Sequence, residues 1–335
     1  MYELEYLPYH QLGERANIIV DGEPTPSTSL LLSHWPRSTC PNGLADDLSA
    51  QMVFRYLDHL RAGKRPLHGD AQVVSNNHFD QDGLVSVFSL VDPEQALRCR
   101  ERLVDLAEAG DFGTFSDRQS ARLAMALGAF AERERSPLGT EAFDGSYSEL
   151  CAALYRELLP RFPGFLDETE AYRALWEEED AALNALQVAL ARGQVRITEE
   201  APLDLAVVED RVGVLQSLSA ALGGRFQRVR GMAIYNATQR TCIAFVEEHR
   251  YEVVYRYETW VKYVSRPIRA RRDLAGLAAQ LCERERDARW AFDEVSKITP
   301  RLYLSPGSHS ALSSEVFVGT LKRFLEETPA AWDPA

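Results

Sequence analysis

The residues best able to do chemistry lie in one short stretch, Val73-Val74-Ser75-Asn76-Asn77-His78-Phe79-Asp80-Gln81-Asp82-Gly83-Leu84-Val85-Ser86. An apolar run of strand character feeds a turn carrying one imidazole and two carboxylates at alternating positions: His78, Asp80 and Asp82. In an open α/β sheet, ligands bind at the carboxyl ends of the strands. A His/Asp/Asp set suits a borderline-hard divalent cation, manganese first and magnesium as the alternative, better than a thiolate-seeking metal. The competing use is structural, with Asp82 capping a helix and His78 satisfied by backbone. An EF-hand calcium loop fails. With Gly83 at the sixth loop position the twelfth is Ser89, where a bidentate Glu is needed.

The flanking pattern supplies elements to position these groups. Ala16 to Val20 reads as a strand ending at Asp21-Gly22, and Ser29 to Leu32 as a second one ending at Ser33-His34-Trp35-Pro36. Leu44 to Leu60 has helical spacing with Asp47 near its start. A helix is expected from about Gly83 to Leu90. Asp92-Pro93-Glu94 opens another, with Asp92 as cap, that stops near Gly110-Asp111-Phe112-Gly113. This alternation predicts an α/β N-terminal domain, an open and mainly parallel sheet flanked by helices. Residues 116–193 read as a helical extension, interrupted around Pro137 to Gly145. The acidic runs Glu177-Glu178-Glu179-Asp180 and Glu199-Glu200 read as solvated surface. Beyond residue 194 strands are expected at Val195 to Thr198, Leu205 to Glu209, Arg228 to Tyr235, Cys242 to Val246, Tyr251 to Tyr257 and Trp260 to Val264. Helices follow at Arg272 to Cys282 and Ser313 to Glu326. The expected organisation is a domain over 1–194 and a smaller α+β domain over 195–335.

Bulk properties narrow the function class. The 335 residues suit two domains. A net charge of -13 argues against non-specific binding to long nucleic acid or to an anionic membrane, both of which need a basic surface. No run is long and apolar enough to span a bilayer, and the start lacks the shape of a signal peptide. The five scattered cysteines form no C-x-x-C pair, which points to a reducing cytoplasm rather than a disulfide framework. P-loop, nucleophile-elbow and dinucleotide-binding glycine patterns are absent.

Several strand-to-loop junctions thus end in metal-competent residues: Asp21, His34, the His78/Asp80/Asp82 group and Asp111. A two-metal hydrolase needs such a set. At this point the sequence resembles the DHH phosphoesterase superfamily, named for its Asp-His-His motif. Its first motif, a strand followed by His and two Asp, is similar to His78, Asp80, Asp82, Gly83 and Ser86. Its second, a strand ending in a bridging Asp, is similar to Ile18-Ile19-Val20-Asp21. Its third resembles Leu31-Leu32-Ser33-His34-Trp35 with Asp47-Leu48-Ser49-Ala50 behind it, and its fourth resembles Ala109-Gly110-Asp111. The order here is second, third, first, fourth, which implies circular permutation, and Ser33 and Trp35 stand where the signature has Asp and His. The Asn-Asn-His-Phe-Asp-x-Asp-Gly and Ser-His-Trp-Pro strings also resemble a bacterial family without an assigned function.

The resemblance implies a metal-dependent phosphoesterase acting on a small phosphorylated molecule at an interdomain cleft. Asp21, His78, Asp80, Asp82 and Asp111 would hold manganese or magnesium. His34 would be a further ligand or support one, and His34 and Asp82 would carry the catalytic role. A C-terminal substrate-binding domain would grip phosphate through Arg266, Arg269, Arg271 and His309, since Arg forks suit phosphate oxygens. Surface pairing of those arginines with nearby acids is the plain alternative. A different class of function follows from Ser33 and Trp35: a catalytically inactive ligand-binding or interaction module.

Overall fold

The computed structural model describes residues 4–334. The chain packs as two compact units, Met1–Asp180 with Lys262–Ser265, and Ala181–Val261 with Arg266–Ala335.

The first unit is built on a four-stranded parallel sheet of β1 (Glu5–Tyr6), β2 (Asn17–Val20), β3 (Thr28–Leu32) and β4 (Val73–Ser75), in the order β1-β4-β2-β3. Strand β2 is buried at every position, as a strand covered on both faces must be, and this explains its unbroken Ile18-Ile19-Val20 run. Helix α1 (Ser49–Arg61) follows β3, and α2 (Gln81–Val91) follows β4. The chain continues through α3 (Pro93–Arg98), α4 (Arg100–Asp111), α5 (Arg118–Phe130), α6 (Tyr147–Leu158) and α7 (Phe162–Asp167) into α8 (Arg173–Ala191).

Three details differ from the sequence reading. Helix α1 begins at Ser49 rather than near Leu44, because its first free N–H groups are taken by a distant carboxylate, described below. The helix opened by Asp92 breaks at Cys99 into α3 and α4. The acidic run on α8 is not all solvated. Glu179 is fully buried against Arg135 at 2.6 Å, and Asp180 pairs with Arg122 at 3.1 Å.

The second unit carries a mixed six-stranded sheet in the order β5-β6-β7-β8-β10-β9. Its strands are β5 (Val195–Glu200), β6 (Leu205–Asp210), β7 (Cys242–Glu247), β8 (Arg250–Tyr255), β9 (Trp290–Phe292) and β10 (Arg301–Leu304). Only β6 and β7 pair in parallel. Between them lie α9 (Val214–Leu222) and α10 (Phe226–Tyr235), while α11 (Ala275–Cys282) and α12 (Ser314–Glu327) complete the unit. One core cluster joins Val253, Leu277, Trp290, Phe317 and Leu321.

Two expected strands are absent. Arg228 to Tyr235 lies in α10. Val229 to Ile234 is an unbroken buried run, which shows no helical alternation in the sequence. Trp260 to Val264 forms no strand either; the N–H groups of Lys262 and Val264 go to the first unit's loops instead.

Candidate metal centre

Asp21 sits one residue past β2 with φ of 45°, in the left-handed region that few non-glycine residues adopt. Such conformations persist where the surroundings over-determine them, often at functional sites. Gly22 follows. A Cβ there would lie 2.1 Å from Asn77 Oδ1, so glycine lets the β2 and β4 turns meet without moving that side chain. This brings Asp21 against the turn after β4.

Six ligand-type side chains converge there in two groups. Asp21, His34, Asp82 and Asp111 each offer one atom within 4.8 Å of the others; Asp21, His78 and Asp80 do the same. Asp21 belongs to both. His34 Nε2 lies 3.3 Å from Asp21 Oδ1, 3.5 Å from Asp111 Oδ2 and 3.9 Å from Asp82 Oδ2. His78 Nε2 lies 2.8 Å from Asp80 Oδ2 and 3.3 Å from Asp21 Oδ2.

Each group is set by an element end. His34 follows β3, and its Nδ1 is 2.6 Å from the carbonyl oxygen of Asp47. A carbonyl only accepts, so Nδ1 carries the proton, and Nε2 is the nitrogen that faces three carboxylates. Asp80 caps α2, accepting from Gly83 N at 2.8 Å. Asp82, inside the first turn of α2, turns both oxygens onto the N-terminus of α1. Oδ2 accepts from Ser49 N at 2.8 Å and Oδ1 from Ala50 N at 2.7 Å. The positive end of that helix favours its charge. Ser49 Oγ donates to Asp21 Oδ1 at 2.9 Å. Asp111 ends α4.

The electrostatics follow from packing acids around imidazoles without solvent. Burial works against a charged Asp21, yet hydrogen bonds from His34 and His78 hold its carboxyl well below the ordinary range. Burial also disfavours charge on the imidazoles, but the neighbouring acids prevail. Asp21 raises His34, and Asp80 with Asp21 pushes His78 up to about 11. Burial and then the Asp21 charge raise Asp82. The cluster is therefore one that demands a cation at Nε2 of each imidazole, whether a proton or a metal ion. The donor set fits a divalent metal: carboxylate oxygens and imidazole nitrogens, with His34 already oriented by a carbonyl as ligating histidines are. Asp21 Oδ2 is buried and faces His78 Nε2 at 3.3 Å, so an ion bound there would lie between these two side chains.

His78 and Asp80 are the open side of the cluster, their side chains 20% and 30% exposed, whereas His34 and Asp82 are fully buried. Trp35 lies over His78 with ring centroids 5.2 Å apart. Ser33 Oγ accepts from Gly22 N at 3.1 Å and so shapes the turn.

The arginines expected to grip phosphate do not assemble into one site. Arg271 is fully buried, and its guanidinium donates to the carbonyls of Val295 and Ile298 and to Thr259 Oγ1, so it holds loops together rather than meeting a ligand. Arg266 lies 3.7 Å from Glu258. Arg269 lines a hollow with Asp204 and Tyr255, and His309 a different one, of about 600 Å3, with Arg211 and Arg250. Sequence reasoning missed that Asp47 supports His34 through its main chain. No local signal marks a carbonyl for that role.

A model of a family of unknown function, DUF6687, matches residues 2–335, so the chain belongs to that family. No curated protein and no solved structure matches the chain.

Proposed function

Membership of a family without an assigned activity leaves the site to speak for the chemistry, and we propose that the protein is a metal-dependent phosphoesterase of DHH-like type acting on a small phosphorylated molecule. One observation carries this reading: the Asp21 carboxylate is shared by two His/Asp groups whose imidazoles both need a cation. His34, Asp82, Asp111 and Asp21 would hold one ion, and His78, Asp80 and Asp21 a second. Manganese fits the mixed nitrogen and oxygen donors, with magnesium as the alternative. When bound, such a pair acidifies a water molecule and offsets the charge that builds on phosphoryl oxygens.

The chain's own residues set the remaining conditions. The carbonyl of Asp47 fixes the His34 tautomer, and the two N–H groups at the start of α1 aim Asp82. Substrate approaches at His78 and Asp80, where the cluster reaches solvent, beside Asn77 and Trp35. The four elements of the DHH resemblance, Asp21, His34, His78/Asp80/Asp82 and Asp111, meet in one cluster despite their permuted order, which supports the superfamily reading.

The test is the metal content of the protein after incubation with excess Mn2+ and desalting, followed by hydrolysis of p-nitrophenyl phosphate and bis-p-nitrophenyl phosphate. Retained metal with turnover, both lost in an Asp80→Asn/Asp111→Asn double variant, is the expected result. Wild-type protein that retains no metal and cleaves neither ester would overturn the proposal. Retained metal without turnover would favour the second reading, an inactive ligand-binding module, for which Trp35 tilted against His78 is the supporting observation.

A further inference from the structure

Lys262–Ser265 interrupts the sequence of the second unit but packs in the first. Its backbone is spent on the surroundings of one histidine. Lys262 N donates to the carbonyl of His34 at 2.8 Å. Val264 N and Ser265 N both donate to Asp47 Oδ1, at 2.6 and 2.9 Å. Lys262 Nζ donates to the carbonyl of Ser38 at 2.9 Å, fixing the loop between His34 and Asp47. Tyr263 packs edge-on against Phe112 at 5.4 Å, and Phe112 in turn lies 6.2 Å from the His34 ring. Phe112 directly follows Asp111.

Asp47 is the node of this arrangement. Its side chain takes the strap's two N–H groups, while its main-chain oxygen takes His34 Nδ1–H. Ionised acceptors make hydrogen bonds about twice as strong as neutral ones, so the carboxylate anchors the strap firmly. His34 is thereby held from both sides, its own carbonyl by Lys262 and its ring by Asp47. His78 is held more loosely: its Nδ1 lies 3.4 Å from Asn77 Oδ1, and its side chain is partly exposed.

We infer that Asp47 and the Lys262–Ser265 strap form a positioning device specific to the His34 half of the centre, setting the aim of His34 Nε2 and hence the affinity of that half alone. This rests on the metal-centre reading above. Partners that orient a ligating imidazole typically change metal affinity by about 10- to 100-fold.

The experiment is a two-step Co2+ or Mn2+ titration of the full chain by calorimetry, with the Co2+ visible spectrum as a readout of ligand geometry. In Asp47→Ala one binding step should weaken by about 10- to 100-fold with a changed Co2+ spectrum, and the other should stay put. In His78→Ala the step left unaffected by Asp47→Ala should be the one lost. Equal weakening of both steps would mean a merely structural role and overturn the inference, as would two unchanged steps. If Asp47→Ala does not fold, Asp47→Asn carries the same comparison. It keeps a neutral acceptor, so the selective loss should be smaller, about threefold given the weaker bond. Equal affinities at both steps would again overturn the inference. Wild-type protein that binds no metal would defeat the metal-centre reading and this inference together, whereas normal wild-type uptake with an unselective variant defeats this inference alone.

Discussion

In the proposed centre, the imidazoles would link metal uptake to protons. Both have raised pKa values in the metal-free protein, His34 through Asp21 and His78 through Asp80 and Asp21, against the opposing effect of burial. A raised imidazole pKa stabilises the fold fully below its ordinary value near 6.5, and that contribution fades as pH rises through the folded value. At pH 7 the metal-free protein therefore holds protons that a metal must displace. Uptake should release roughly one to two protons per chain and tighten as pH rises. Calorimetry in two buffers of different ionisation enthalpy measures this, and identical heats in both would contradict it. Asp82 sits differently. Asp82→Asn should disturb the fold as well as the cluster. Both oxygens accept N–H groups of α1, and an amide would turn an NH2 toward one of them. The variant should lose about 2–4 kcal/mol in chemical unfolding, from two buried charge-assisted bonds. Asp111→Asn is the cleaner probe of the metal, since that residue caps no helix N-terminus.

The elements explain what could be read beforehand. The clustering side chains were legible as candidates because each lies at a strand or helix end and His78, Asp80 and Asp82 are close in sequence. Asp21 was legible from the apolar run before it. Arg271 was not. Nothing near it in sequence announces that the carbonyls of Val295 and Ile298 will enclose its guanidinium. The α10 helix reads as a strand because Val229, Ile234 and Tyr235 have strand propensities, and a run buried from Val229 to Ile234 carries no helical period. The strap was invisible for the same reason: its backbone donors find partners more than 200 residues away in sequence. Close packing at the start of α2 makes a prediction of its own. A Cβ at Gly83 would lie 2.3 Å from Asn76 Nδ2 and 2.7 Å from Tyr155 Oη, both on buried residues. Gly83→Ala should cost about 1–3 kcal/mol by overpacking and tilt the turn that carries Asp80. A melting temperature equal to that of wild type would refute it.

Across the whole molecule, acidity and metal act in opposite senses. The chain carries a formal charge of -13, and Asp21, Asp80, Asp82 and Asp111, part of that total, are gathered at the centre. Cations bound there should stabilise the fold, by about 2.7 kcal/mol at one hundred times their Kd. Thermal unfolding with Mn2+ and after chelation gives the comparison, and coincident transitions would speak against a built site. The same charge favours a small phosphorylated molecule over a long polyanion, so a short phosphoester should be cleaved in preference to a long oligonucleotide at low salt. No helix among the described residues is long and apolar enough to cross a membrane. The strap adds a constraint in time. His34 leaves the ribosome long before Lys262, and at about 5–20 residues per second the gap is roughly ten seconds or more. During that interval the nascent chain has its acids and imidazoles but not the clasp that aims one of them. If the centre takes metal as proposed, selective loading of its His34 half would be a late event in the life of each chain, and mis-loading would threaten most while the polypeptide is still being made.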